Sequence, residues 1–307
     1  MQSNPLMVTT QTPNAGHHRS AAVVGLSLLP IAVWWCTREA PAWVVMWAIA
    51  GAEFLALKLL TLAGFWKTAP AWRIAAYLLL WPGMNAKAFL ASSLPAAQAA
   101  NGQELAAAMA KLVLGLAMAA WAASHVTTAS HLLVGWVGML GIIFTLHFGL
   151  FDLASWAWRR VGVAALPIMR APILAPSLAE FWGERWNAAF ADAARRFLFR
   201  PLARRWGATR AGGLVFLVSG LVHETVISLP AHGGWGGPTL YFLLQAAGIR
   251  LEKSATGGRL GLGAGWPGWL WMLLVTAIPL PLLFHVPFVE RVIVPLFQQI
   301  AKEIPSI

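Results

Sequence analysis

Apolar runs recur from Ala21 to Phe288, separated by short polar or basic connections, and no intervening polar block is large enough to fold alone. With about 20 apolar residues taken as one crossing, the pattern predicts membrane helices at Ala21 to Cys36, Pro41 to Ala63, Leu105 to Ala123, and His131 to Leu153. Further crossings are expected at Ala211 to Leu229, Pro238 to Ile249, and Trp266 to Val286. Trp72 to Leu94 is different, because Pro82, Gly83, Asn85 and Lys87 interrupt it, which predicts a broken or re-entrant segment. The expected fold is an all-α polytopic membrane protein with about seven or eight transmembrane helices plus re-entrant and in-plane amphipathic helices. One membrane domain over 21–288 would lie between a polar N-terminal tail (1–20) and a C-terminal tail (289–307).

The stretch from Gly162 to Gly207 breaks this pattern: Pro167, Pro172 and Pro176 punctuate it first, and aromatics mixed with arginine follow. Ser177 and Glu180 form the S-x-x-E signature of a helix start, each side chain placed to satisfy a free amide. At 100° per residue, Trp182, Trp186, Ala189, Phe190, Ala193 and Phe197 share one side of the predicted helix. Glu184, Arg185, Asp192, Arg195 and Arg196 lie opposite, and Asn187 flanks the apolar side. Such a helix is expected to lie along the membrane surface, its rings at headgroup level and its arginines toward phosphate.

Composition agrees: 59% of residues are hydrophobic and 11% charged, with a mean hydropathy of +0.66, where soluble domains carry about 25% charge. The 22 Lys and Arg against 11 acids set topology and attract anionic membrane lipids rather than nucleic acid. Arg159, Arg160, Arg170 and the arginines from Arg195 to Arg210 place their segment in the cytoplasm, and Arg250, Lys253 and Arg259 return the chain there. Ser124 to Ser130 and Pro230 to Gly237, free of Lys and Arg, suit the outer side. If Trp72 to Leu94 does not cross, Arg19, Lys67, Arg73 and Lys87 are cytoplasmic too. Cys36 is the single cysteine, which excludes an intrachain disulfide and a cysteine metal site. The polar start and the lack of a small-residue cleavage site predict no cleaved signal peptide.

Against this background His223 stands out, inside the run Phe216-Leu217-Val218-Ser219-Gly220-Leu221-Val222-His223-Glu224. An ionisable group within a span faces protein or a water-filled cavity, and it is either a functional group or a histidine satisfied by a neighbouring helix. Imidazole suits general-base work near neutral pH. Glu224, about 100° around the helix, is not placed to orient the ring directly. Ser219 and Gly220 would admit a neighbouring helix or a ligand chain. Glu53, Lys58, His147 and Asp152 are further polar groups within spans, each equally readable as a contact between helices. The glycines from Gly257 to Gly265 follow no strand, so they make no dinucleotide site. The lack of G-x-S-x-G, H-E-x-x-H and P-loop patterns excludes a serine lipase, a zinc protease and an ATP-driven pump, leaving membrane transferases and carriers.

Phe181-Trp182-Gly183-Glu184-Arg185-Trp186-Asn187, followed by Ser219-Gly220-Leu221-Val222-His223-Glu224 in an apolar helix, resembles the membrane-bound O-acyltransferase family, in particular its wax-synthase-like branch. Leu80-Trp81-Pro82-Gly83-Met84-Asn85 and His147-Phe148-Gly149-Leu150-Phe151-Asp152 are similar to further elements of that branch. The chain is short beside the family's sterol and diacylglycerol acyltransferases and lacks their long polar N-terminal region. The resemblance implies transfer of a fatty acyl group from acyl-CoA, a co-substrate, to the hydroxyl of a lipophilic alcohol, with no metal or resident cofactor. It implies a catalytic segment over 177–229 with Asn187 and His223 as the catalytic pair. Trp182, Trp186 and Phe190 would then line an acyl-chain site or anchor the interface, and Ser219, Gly220 and Glu224 would adjoin the substrates. Arg195, Arg196, Arg200, Arg204 and Arg205 would meet CoA phosphates or anionic headgroups. Two other readings stay open: a lipid or small-solute carrier built around broken helices and the pair Glu53 and Lys58, and a non-enzymatic scaffold.

Overall fold

A computed structural model describes residues 28–66, 68–90 and 99–303, and helix is the only regular structure among them. The expected N-terminal tail, the first residues of the Ala21 to Cys36 span, Lys67, and the end of the Trp72 to Leu94 segment lie outside the described residues. The chain begins with α1 (Leu29–Thr37) and α2 (Ala42–Leu62). A short α3 (Ala71–Leu79) and α4 (Ala86–Leu90) flank a non-helical stretch at the Pro82-Gly83 break. With nine and five residues, neither reaches the length of a crossing.

Next come α5 (Gly102–Ser124) and α6 (His131–Arg160), both long enough to cross. Asn101 opens α5 with a reciprocal capping box to Glu104, and the Ser130 hydroxyl accepts the Leu133 amide at the start of α6. The two helices approach at small residues: a Cβ on Gly141 would fall 2.8 Å from the Ala119 amide nitrogen. Lys111 to Asp152 and Arg159 to Glu104 join them by ion pairs.

After the proline-rich connection, α7 (Leu178–Glu180) runs into a π-helical turn (Phe181–Arg185), and α8 (Ala188–Ala194) continues helically to Trp206. Gly207, at φ +80°, turns the chain into α9 (Ala208–Ala231). α10 (Gly237–Glu252) pairs with α9, and α11 (Gly265–Leu283) follows.

Five helices (α2, α5, α6, α9 and α11) are long and apolar enough to cross a membrane among the described residues. Two other expected crossings are not among the five: α10 has 16 helical residues, and the Ala21 to Cys36 span is described only from residue 28 onward. The segment read as a C-terminal tail is described as far as residue 303. Residues 286–303 are helical, and Val289, Val292, Ile293, Val294 and Phe297 are buried against α5, α6 and α9. Three apolar clusters result among the described residues, the smallest being Ala175, Leu178 and Met272. Of the two larger ones, one joins α5, α6, α9, α10 and the C-terminal helix, and the other joins α2, α3, the Pro82 break, residues 163–168 and α8.

Candidate active site

His223 ends the α-helical part of α9, and a π-helical turn (Glu224–Ser228) follows at once. Its Nδ1 lies 2.7 Å from the carbonyl oxygen of Ser219. A carbonyl only accepts, so Nδ1 carries the proton, and the lone pair of the neutral ring sits on Nε2. The half-buried ring leans on Phe242 of α10, with centroids 4.5 Å apart.

Close approach of α9 and α10 brings that phenyl ring in. Gly220 is buried, and a Cβ there would come within 2.7 Å of the Thr239 Cα. Glu224 fixes the same pairing: one carboxylate oxygen accepts from the Gly236 amide, the Thr239 amide and the Thr239 hydroxyl at 2.9–3.1 Å. A carboxylate there satisfies the free amides at the start of α10, while its other oxygen is buried without a partner among the described residues. Beside it, a groove of about 620 Å³ is lined by Leu221, Glu224, Thr225, Trp235, Thr239 and Leu243.

Asn187 is built differently. The continuous helix expected from Ser177 through Phe197 is interrupted: Trp186 is extended (φ −84°, ψ 119°), and Asn187 is left-handed (φ 44°, ψ 60°). Periodicity alone concealed this break, because the apolar positions on either side keep a helical spacing. The Ser177 hydroxyl does cap α7 by accepting the Glu180 amide at 3.1 Å, but the Glu180 carboxylate pairs with Arg185 at 2.6 Å.

Asparagine adopts left-handed backbone more readily than other residues with a side chain, and its neighbours hold it there. The Ala188 amide donates to the Ile168 carbonyl, the Arg170 amide to the Arg185 carbonyl, and the Asn187 amide to Met169 Sδ. Asn187 Oδ1 accepts the Phe190 amide at 3.4 Å as the cap of α8. Among the described residues nothing accepts from its Nδ2. Behind this turn a cavity of about 70 Å³ is lined by Trp81, Gly83, Asn85, Ala188, Ala189 and Asp192.

No hydrogen bond joins Asn187 to His223, yet a continuous series of rings connects their surroundings. Trp186 stacks on Phe181 at 5.6 Å, Phe181 meets Trp182 edge-on at 5.1 Å, Trp182 contacts Phe242 at 5.5 Å, and Phe242 covers His223. Trp182 is anchored by its indole N–H, which donates to Gln245 Oε1 at 3.2 Å. The fully buried Gln245 amide donates in turn to the Val275 carbonyl. Sequence reading missed Phe242 and Gln245; a lone amide in the apolar run after Pro238 was the available signal for Gln245.

Phe190 is 38% exposed and belongs to no part of this ring series. Arg195 donates to the Gly183 carbonyl at 2.7 Å and pairs with Asp192. Arg196, Arg200, Arg204 and Arg205 are exposed along residues 196–205. Glu53 and Lys58 do not pair with each other: Lys58 donates to the Gly83 carbonyl and lies over the Tyr77 ring, whereas Glu53 accepts from Thr225. His147 sits in a π-helical turn of α6 with Nδ1 buried and without a partner among the described residues, and Asp152 binds Lys111.

This geometry coincides with the matching part of the sequence. Residues 165–244, from just before the Asn187 turn through Phe242, match the membrane bound O-acyl transferase family. The chain is similar to the membrane-bound O-acyltransferases, in their wax-synthase-like branch. It is 33% identical over 143 residues to a long-chain-alcohol O-fatty-acyltransferase of Simmondsia chinensis, covering 40% of each chain. It is 37% identical over 68 residues to a probable long-chain-alcohol O-fatty-acyltransferase 9 of Arabidopsis thaliana, covering 20% of each. The matched regions thus span less than half the length of these curated relatives. This likeness and the five apolar helices mark an integral membrane protein.

Proposed function

We infer that this chain is an acyl-CoA-dependent O-acyltransferase that esterifies a lipophilic alcohol, with His223 as general base. The observation that carries this reading is the bond from His223 Nδ1 to the Ser219 carbonyl. It leaves Nε2 as a proton acceptor in a largely apolar, aromatic-lined site. Nε2 takes the hydroxyl proton as the alcohol oxygen attacks the thioester carbonyl. Collapse of the tetrahedral intermediate breaks the C–S bond, and the imidazolium returns the proton to the departing thiolate, giving ester and free CoA. General-base assistance of this kind contributes about 10²- to 10⁴-fold.

Asn187 Nδ2 donates to the developing oxyanion once the acyl donor is seated. The strained turn fixes that amide before substrate arrives, as preorganised electrostatic stabilisation requires. Burial of the alkyl chain along the groove beside Leu221 and Leu243 contributes about 0.8 kcal/mol per methylene. The exposed arginines from Arg196 to Arg205 meet the CoA phosphates from the cytoplasmic side.

The test is release of free CoA from a long-chain acyl-CoA by purified protein, with and without a long-chain alcohol. Alcohol-dependent release accompanied by ester is the expected result. Release independent of alcohol, or none with any alcohol, overturns the reading.

A further inference from the structure

Glu53 lies near the middle of α2, where an ionisable side chain is costly unless it has a partner or a purpose. Its partner is distant in sequence: the Thr225 hydroxyl donates to Glu53 Oε1 at 2.6 Å, across 172 positions. Thr225 stands two residues after His223, inside the π-helical turn that His223 enters. Its hydroxyl is also 2.6 Å from the Val222 carbonyl, on the residue just before the histidine.

That turn is tied on three sides, each by a different side chain. Glu224 binds the start of α10, the Ser228 hydroxyl meets His285 Nε2 at 3.2 Å, and Thr225 binds α2 through Glu53. The first two ties join neighbouring helices beyond the histidine. The third reaches the backbone on both sides of it, because one hydroxyl lies between the Glu53 carboxylate and the Val222 carbonyl. A π turn departs from α-helical register and is frequent at functional sites. Here the register change falls directly after His223, and the ring direction follows the local backbone because Nδ1 is bound within the same helix.

We propose that Glu53, acting through Thr225, is a positioning residue that sets the direction of His223 Nε2. The proposal rests on the acyltransferase reading for its kinetic consequence. Glu53 touches no reacting atom; it fixes the turn from which the base projects. Misplacement of a reacting group by about 1 Å is enough to lower a rate about 10²-fold.

The test uses the full chain in detergent or proteoliposomes, with Glu53→Leu, Glu53→Gln, Thr225→Val and Thr225→Ser. Leu and Val remove the tie, whereas Gln keeps an acceptor oxygen and Ser keeps the hydroxyl. The expected result is a kcat about 100-fold lower in Glu53→Leu and Thr225→Val, with KM for acyl-CoA changed by less than about twofold in Glu53→Leu, because Glu53, unlike Thr225, does not line the groove. Glu53→Gln and Thr225→Ser should recover most of the rate. Unchanged kcat in Glu53→Leu, or parallel loss of kcat, acyl-CoA binding and thermal stability without recovery in the conservative variants, overturns the proposal. Amide hydrogen exchange over residues 222–228 provides a readout independent of turnover. If the native protein esterifies nothing but Glu53→Leu loses protection there, the enzymatic reading fails and the tie stands. Native-like protection in Glu53→Leu removes the tie itself.

Discussion

His223 and Asn187 approach the same series of rings from opposite kinds of backbone. His223 belongs to a regular membrane helix, takes its own helix as partner at Ser219, and is placed by close packing of α9 on α10. Asn187 belongs to a broken helix, has left-handed backbone, and is held by the 168–170 segment as well as by its cap to the Phe190 amide of α8. The difference separates two ways of fixing a group. A helix sets direction through packing at small residues, whereas a strained turn sets it through hydrogen bonds that over-determine an unfavourable conformation. Substitutions should therefore damage the two regions differently.

The largest effect is expected at the histidine. His223→Ala removes the proton acceptor while leaving α9 intact, so kcat should fall by about 10²- to 10⁴-fold with little loss of thermal stability. Alcohol-dependent CoA release alongside a melting curve checks this. A fold-wide loss of stability would instead give the histidine a packing role and erase the contrast with Asn187.

At Asn187 two substitutions separate chemistry from backbone. Asn187→Gly keeps access to positive φ but removes the amide, and Asn187→Ala removes both. Both should lower kcat by about 10²- to 10³-fold, the effect of removing one oxyanion donor. Only Asn187→Ala should also cost about 1–2 kcal/mol of stability, from forcing alanine into left-handed backbone. Equal kcat in native protein and Asn187→Gly would reduce Asn187 to a turn residue.

Legibility from sequence follows the same division. The spans and His223 were visible because long apolar runs admit few readings and a histidine within one needs a reason. The Asn187 turn was hidden because no proline or glycine stands at 186–187 and helical spacing continues across it. The C-terminal helix was hidden too: Gln298, Gln299, Lys302 and Glu303 mask a face on which Val294 and Phe297 are buried. Glu53 and Lys58 looked like an intramembrane pair, but their separate destinations depend on tertiary structure that no local pattern encodes.

The packing that presents His223 can be loosened directly. Gly220→Ala places a Cβ against the Thr239 backbone, which no side-chain rotation relieves, so α9 and α10 must separate. A loss of about 1–3 kcal/mol is expected, with a fall in kcat smaller than that of His223→Ala because the base remains. Thermal unfolding and kcat measured on the same preparation test this. Full retention of both would mean that the helix pair has slack and that the ring over His223 is set by something other than this crossing.

The smallest effect should come from the start of the Asn187 segment, which is doubly capped. The Ser177 hydroxyl accepts the Glu180 amide, and the Glu252 carboxylate accepts the Leu178 and Ala179 amides from the end of α10. Ser177→Ala removes one acceptor and should cost about 1 kcal/mol, with kcat nearly unchanged, because the Asn187 turn is fixed farther along by Ile168, Met169 and Arg170. If Ser177→Ala lowers kcat as strongly as Asn187→Gly, the turn depends on the helix before it, and the left-handed asparagine is not fixed by the 168–170 segment alone.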